Sequence, residues 1–186
     1  MIQHIPNALT LLRVIAVPVF IITMDKYPFT ALLIFIGASI TDFLDGYLAR
    51  KLNVISNFGK IMDPLADKIL IISAMILLSL PPIRYIHWII VAIVTVRELA
   101  VTVLRDYYRS KNIIIAANIW GKIKTVLQMV GIISALLYYS YGFVIDYKFE
   151  ASVNNAILLS IKIFFWIVAV ITVLSGTNYF IIKKRK

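Results

Sequence analysis

Six apolar stretches, at approximately 8–24, 29–50, 57–79, 85–109, 117–140 and 154–182, follow one another with only short polar breaks. A helix needs about 20 apolar residues, each rising about 1.5 Å, to cross the hydrocarbon core of a bilayer. In that solvent each backbone N–H and C=O must be satisfied within the protein, which makes helices the fold for runs of this length. With 61% hydrophobic residues and a mean hydropathy of +0.92 over 186 residues, an ordinary soluble domain is excluded. The expectation is an all-α integral membrane protein in one domain, residues 1–186, with six transmembrane helices and a short N-terminal interfacial segment around Ile2 and Ile5.

The breaks fit that reading. MDKYPF, SLPPIRY and YSYGFVIDYKFEAS carry Pro, Gly, Tyr or charge and read as loops. Tyr85, Trp88, Tyr138, Tyr139 and Tyr141 suit interfacial aromatic belts, as His4 and His87 suit interfacial rather than catalytic positions. Asn7 is expected to cap the first helix and Pro18 to bend it. The first apolar run contains Arg13 and follows no basic leader, so it reads as a retained helix and not a signal peptide. With no Cys, disulfides, thiolate metal sites and a Cys nucleophile are excluded.

The formal charge of +10 points either to nucleic acid or to anionic lipid and phosphate-bearing substrates. The only basic run is KKRK at the C-terminus, too short for a nucleic-acid module, and the hydropathy favours the second. Loops near residues 26, 84 and 148 hold three of the 19 Lys and Arg, with Lys162 in the outer part of the last helix. By that asymmetry both termini and the chain's polar face lie on the cytoplasmic side of the cell membrane.

Into this apolar background Thr41 to Lys68 sets four of the chain's nine acidic residues. Asp42 and Asp45 are three apart, and Asp63 and Asp67 four apart, so each pair shares one face of a helix. Carboxylates in a lipid-embedded segment are turned inward and paired or bound to an ion, and four together repel one another. One or two Mg²⁺ or Mn²⁺ ions, which take oxygen ligands and share phosphate oxygens with substrates, resolve this. The plainer alternative is a charged cytoplasmic loop in which the acids pair with Arg50, Lys51, Lys60 and Lys68. Gly46 and Ala49 leave one helix face shallow enough for a flat group to approach, and the Arg50 fork suits a phosphate oxygen.

Taken whole, Asp42, Asp45, Gly46, Ala49, Arg50, Gly59, Asp63 and Asp67 form D-x2-D-G-x2-A-R-x8-G-x3-D-x3-D with no position missing. This resembles the signature of the CDP-alcohol phosphatidyltransferases. The resemblance implies a dimeric, six-helix enzyme with two divalent ions. Asp42, Asp45 and Asp63 are then metal ligands, and Asp67 is the catalytic base and a further ligand. Asn7, Asp42, Gly46, Ala49, Arg50 and Gly59 surround the cytidine diphosphate of the donor.

A second set of charges lies further on. Arg97, Val101 and Arg105 repeat at four-residue spacing along the fourth helix, so both arginines are expected to face one way, with Glu98 able to pair, and Gly121, Lys124, Thr125 and Gln128 share a face of the fifth, with Lys122 beside it. An arginine in the middle of an apolar run marks a functional site, and a pair of them suits a phosphate. Arg97, Arg105, Lys60, Lys122 and Lys124 are therefore the candidates for an acceptor's own phosphate. PNALTLLR, DPLADK, VRELAVTVLR and GKIKTVLQ narrow the resemblance to family members that use CDP-diacylglycerol and glycerol 3-phosphate. Other acceptors (inositol phosphate, serine, phosphatidylglycerol) and, from another class, a cation transporter remain as alternatives; the transporter requires acids spread through the membrane depth, not gathered at one interface.

Overall fold

The computed structural model describes the backbone of residues 5–52, 57–111, 119–144 and 150–180, and side chains over 11–41, 68–111, 119–143 and 150–177. Among the described residues all of the regular secondary structure is helical, as α1 (Ile5–Thr23), α2 (Pro28–Leu52), α3 (Asn57–Ser79), α4 (Trp88–Ser110), α5 (Ile119–Val144) and α6 (Ala151–Phe180). The helices fall where the apolar runs lie, within a few residues at each end. Asn7 is a correction: α1 starts at Ile5, so Asn7 lies inside the helix and does not cap it. Pro6 is tolerated there because first-turn N–H groups have no intrahelical partner to lose. Pro64 stands seven residues into α3, whose backbone is helical on both sides of it.

Two compact units divide the chain. One comprises Met1–Leu78 and Ile132–Lys148. Its α1 and α2 form a hairpin, closed by Tyr27 N–H to Thr23 O at 2.8 Å and Ala31 N–H to Tyr27 O at 3.0 Å. Val17, Phe20, Met24, Ala31, Leu32, Phe35 and Ala38 are buried, with the Phe20 and Phe35 rings 5.8 Å apart and tilted by 48°. Arg13 is also fully buried in this unit.

The other unit comprises Ser79–Gly131 and Phe149–Lys186. Here α4 packs on α6. The buried stripe of α6 runs Phe165, Val168, Ala169, Thr172, Ser175 and Gly176, the spacing of one helix face, while Leu159, Ile163, Ile167, Val170, Val173 and Leu174 stay exposed. Large apolar residues thus point outward, while from Ala169 to Gly176 the inward positions are small or polar. Packing between membrane helices relies on such residues because lipid is as apolar as leucine. Gly131 shows the same device on α5: a Cβ there would stand 2.8 Å from Cε1 of Phe164 and 3.2 Å from Cζ of Phe165.

Among the described residues, two helical segments, Ile119–Phe143 and Ala151–Thr177, are long and apolar enough to cross a membrane. Leu11–Thr23, Pro28–Thr41 and Lys68–Ser79 are shorter apolar segments of α1, α2 and α3.

Candidate active site

Three helices of the second unit bring charge together at one place. On α4, Arg97 and Glu98 lie along the same side as Ile90, Val94 and Val101, which are buried. Arg97 reaches α6 with two arms of its guanidinium: Nε donates to Thr172 O at 3.1 Å and Nη2 to Ser175 Oγ at 2.8 Å. Its Nη1 donates to Glu98 Oε1 at 3.1 Å. The Ser175 hydroxyl accepts from Arg97 and donates to Thr172 O at 2.9 Å, so both of its capacities are used.

Room for the arginine stem comes from Gly176. A Cβ there would lie 3.3 Å from both Cγ and Nε of Arg97, closer than ordinary contact. The absent side chain lets a long cation lie along the α6 backbone.

From α5, Lys124 donates to the same Glu98 Oε1 that receives Arg97. One carboxylate oxygen therefore gathers two cations from two helices. The side chains of Lys124 and Glu98 are only 5% and 12% exposed, and charges this far from water persist only when paired and hydrogen-bonded. The set carries a net positive charge, the sign that attracts a phosphate. One turn along α5 from Lys124, the Gln128 amide is buried with no hydrogen-bond partner among the described residues, as is the Thr172 hydroxyl.

The sequence-predicted acceptor residues thus separate. Arg97 and Lys124 meet on Glu98, and the face holding Gly121, Lys124, Thr125 and Gln128 is the inward face of α5. Arg105 and Lys122 are exposed, outside the buried stripes. Eight residues beyond Arg97, an α-helix has turned about 80° past the starting direction, so the two arginines do not share a face closely.

The signature residues divide between two helices of the first unit. The α2 backbone is helical through Asp42, Asp45, Gly46, Ala49 and Arg50, and α3 through Gly59, Lys60, Asp63 and Asp67. Each carboxylate pair is therefore one helical turn apart, as its spacing predicted. The side chains of these residues and of Asn7 lie outside the described residues.

A family model for CDP-alcohol phosphatidyltransferases matches residues 3–174. The chain belongs to that family. Its relatives include three proteins named CDP-diacylglycerol–glycerol-3-phosphate 3-phosphatidyltransferase. The one from Bacillus subtilis (strain 168) is 36% identical, across 95% of this chain and 93% of the relative. That of Mycoplasma pneumoniae is 36% identical across 88% and 77%, and that of Haemophilus influenzae 34% across 97% and 94%.

In this CDP-alcohol phosphatidyltransferase the match stops at residue 174, just short of Ser175 and Gly176. Those two and Thr172 are the members of the Arg97 cluster that sequence reasoning missed. The available signal was T-x2-S-G at 172–176, the small and polar positions of an otherwise apolar helix at one-face spacing.

Proposed function

We propose that this protein transfers the phosphatidyl group of CDP-diacylglycerol to glycerol 3-phosphate, giving phosphatidylglycerophosphate and CMP, the first committed step of phosphatidylglycerol and cardiolipin synthesis. The observation that carries this reading is the near end-to-end similarity to relatives that bear that activity in their names. The complete eight-residue signature and the buried Arg97–Glu98–Lys124 set support it.

In this mechanism the glycerol 3-phosphate hydroxyl attacks the phosphorus that carries the diacylglycerol. A new P–O bond forms, the bond to the CMP oxygen breaks, and Asp67 accepts the hydroxyl proton. Gly46, Ala49 and Gly59 leave space for the nucleotide, with Asn7, Asp42 and Arg50 around it. Arg97 and Lys124 hold the acceptor's phosphate, which competes with Glu98 for both cations; Arg105, Lys122 and Lys60 add positive potential. Phosphoryl transfer of this kind is mostly positioning and charge stabilisation.

Asp42, Asp45, Asp63 and Asp67 fit a pair of Mg²⁺ or Mn²⁺ ions: all four offer hard carboxylate oxygens, one turn apart on helical backbone. Bound there, such ions would neutralise the diphosphate and the charge that develops on the leaving oxygen.

In the same reading the 186 residues form one catalytic domain of six transmembrane helices in the cell membrane, with both termini and the aspartates on the cytoplasmic side. The distribution of Lys and Arg supports that orientation. Membrane lipids surround the helices, CDP-diacylglycerol enters from the side, and two copies pair as a homodimer.

The test is to supply purified protein with CDP-diacylglycerol and, in turn, glycerol 3-phosphate, inositol phosphate, serine and phosphatidylglycerol, while following CMP. Release that depends on glycerol 3-phosphate is expected. Faster release with another acceptor would move the protein to a different branch of the family, and release with none would remove the transferase reading.

A further inference from the structure

The opposite end of the α4–α6 pair holds a cavity of about 530 Å³ that the reaction does not use. Its lining includes Arg84, Ile86, His87, Trp88, Lys162 and Trp166. Trp88 precedes Arg97 by nine residues, and Lys162 precedes Ser175 by thirteen. At the helical rise these intervals amount to about 13 and 20 Å, so the cavity is separate from the buried Arg97 set.

Its chemistry is one-sided. Among the described residues Arg84 and Lys162 both line it, no Asp or Glu does, and neither cation has a side-chain partner. His87 accepts from Ile89 N–H through Nδ1 at 3.3 Å, which leaves Nε2–H as a third donor. The rings of Trp88 and Trp166 flank His87, with centroids 6.0 and 6.3 Å away, and form apolar walls. Arg84 is held in the left-handed region at φ 51°, an uncommon conformation for a residue with a Cβ.

The setting identifies the ligand. Lys162 interrupts an apolar surface on which Leu159 is 58% and Ile163 51% exposed, and Trp88 and Trp166 are 66% and 45% exposed beside it. An aromatic pair with one apolar face is suited to the membrane–water boundary, and two cations there call for an anion whose remainder is apolar. A headgroup bearing an ammonium would set a third cation beside Arg84 and Lys162.

We propose that this cavity binds the phosphate of an anionic glycerophospholipid, with Arg84 and Lys162 on the phosphate oxygens and the two indoles against the glycerol and upper acyl chain. This site is additional to the substrate site and does not depend on which acceptor the enzyme uses.

The test uses the full chain with Trp120→Phe, which leaves Trp88 and Trp166 as the only indoles. It is placed in phosphatidylcholine nanodiscs containing a small fraction of dibrominated phosphatidylglycerol or, separately, dibrominated phosphatidylcholine. Tryptophan quenching is expected to report a relative affinity for the anionic lipid on the order of tenfold above that for phosphatidylcholine, the scale of one charge-assisted hydrogen bond. Arg84→Gln with Lys162→Gln should erase the preference, and Arg84→Lys with Lys162→Arg should keep most of it. CMP release near the wild-type rate in both double variants shows that they fold. Equal quenching by the two lipids in the wild type, or a preference that survives loss of both charges, would overturn the proposal. So would abolition of the preference by millimolar inorganic phosphate at constant ionic strength, which would assign the cavity to a free anion instead.

Discussion

Arg97 of α4 donates through Nη2 to the hydroxyl of Ser175 on α6 at 2.8 Å, and that hydroxyl in turn donates to Thr172 O at 2.9 Å. An arginine in an apolar helix is thereby seated on its neighbour by a polar relay. Replacing Ser175 removes the acceptor that Arg97 Nη2 uses, while Thr172 O keeps the bond from Arg97 Nε. Ser175→Ala should cost about 1.5–3 kcal/mol of charge-assisted hydrogen bonding, read as a KM for glycerol 3-phosphate raised about tenfold or more. The accompanying change in kcat should be small. An unchanged KM would detach this relay from acceptor binding.

Gly176→Ala separates contact from helix stability. Alanine gains up to about 1 kcal/mol over glycine in a helix interior. The added Cβ nevertheless meets Arg97 Cγ and Nε at 3.3 Å, and three hydrogen bonds restrict the arginine's retreat. The expected result is a higher KM for glycerol 3-phosphate with Tm unchanged or slightly raised. A fall in Tm with KM unaltered would make the glycine a packing residue only.

Much of this cluster was legible in the residues and some was not. Arg97 stood out because a charge in the middle of an apolar run needs a reason, and Glu98 was its natural partner. Lys124 was identified by its i+4 relation to Gln128 and its i+3 relation to Gly121, which together marked an inward polar face. Ser175 and Gly176 left no comparable mark, since a small residue in an apolar helix reads equally well as packing against another helix or as room for a ligand. Asn7 misled for a related reason: an Asn after Pro looks like a cap, but a proline is equally at home inside a first turn, and α1 takes that option. The separation of Arg97 from Arg105 follows from 3.6 residues per turn, which lets faces drift over eight positions.

Glu98 is the hinge of the charge balance, because Arg97 and Lys124 share its Oε1. Glu98→Gln leaves two cations together in a setting only 5–12% exposed. Removing one partner of a buried ion pair costs about 3–5 kcal/mol, so a lower Tm is expected. Glycerol 3-phosphate, which brings its own negative charge, should restore part of that loss in the variant and do less for the wild type. Equal ligand-induced shifts in Tm would show that the phosphate does not replace Glu98.

Gly131 tests packing alone. A Cβ at this position would sit 2.8 Å from Phe164 and 3.2 Å from the fully buried Phe165. Overpacking a filled site costs about 1–3 kcal/mol. Gly131→Ala should therefore lower Tm, and Phe164→Leu in the same chain should recover part of the loss. Strict additivity of the two changes would show that the contact is not what is being measured.

The last test concerns Asp67, which lies one helical turn beyond Asp63 on α3 and closes the signature. A carboxylate in this position can take the acceptor's proton, hold a divalent ion, or do both. If proton transfer dominates, Asp67→Asn keeps CDP-diacylglycerol affinity and lowers kcat on the order of 10²–10⁴-fold, the usual loss of general-base help. If ion binding dominates, the same substitution shifts the Mg²⁺ dependence to higher concentration, and saturating Mg²⁺ restores most of the rate. Activity of the wild type should vanish with chelator and return with Mg²⁺ or Mn²⁺, which fixes the reference curve. Asp42→Asn and Asp63→Asn should behave as ligand losses and move along that metal axis. The deciding measurement is kcat against metal concentration for Asp67→Asn, with nucleotide affinity determined separately. A rate that stays low at saturating metal assigns the proton to Asp67, whereas recovery to near wild-type turnover passes it to water or to an oxygen of the substrate's own phosphate.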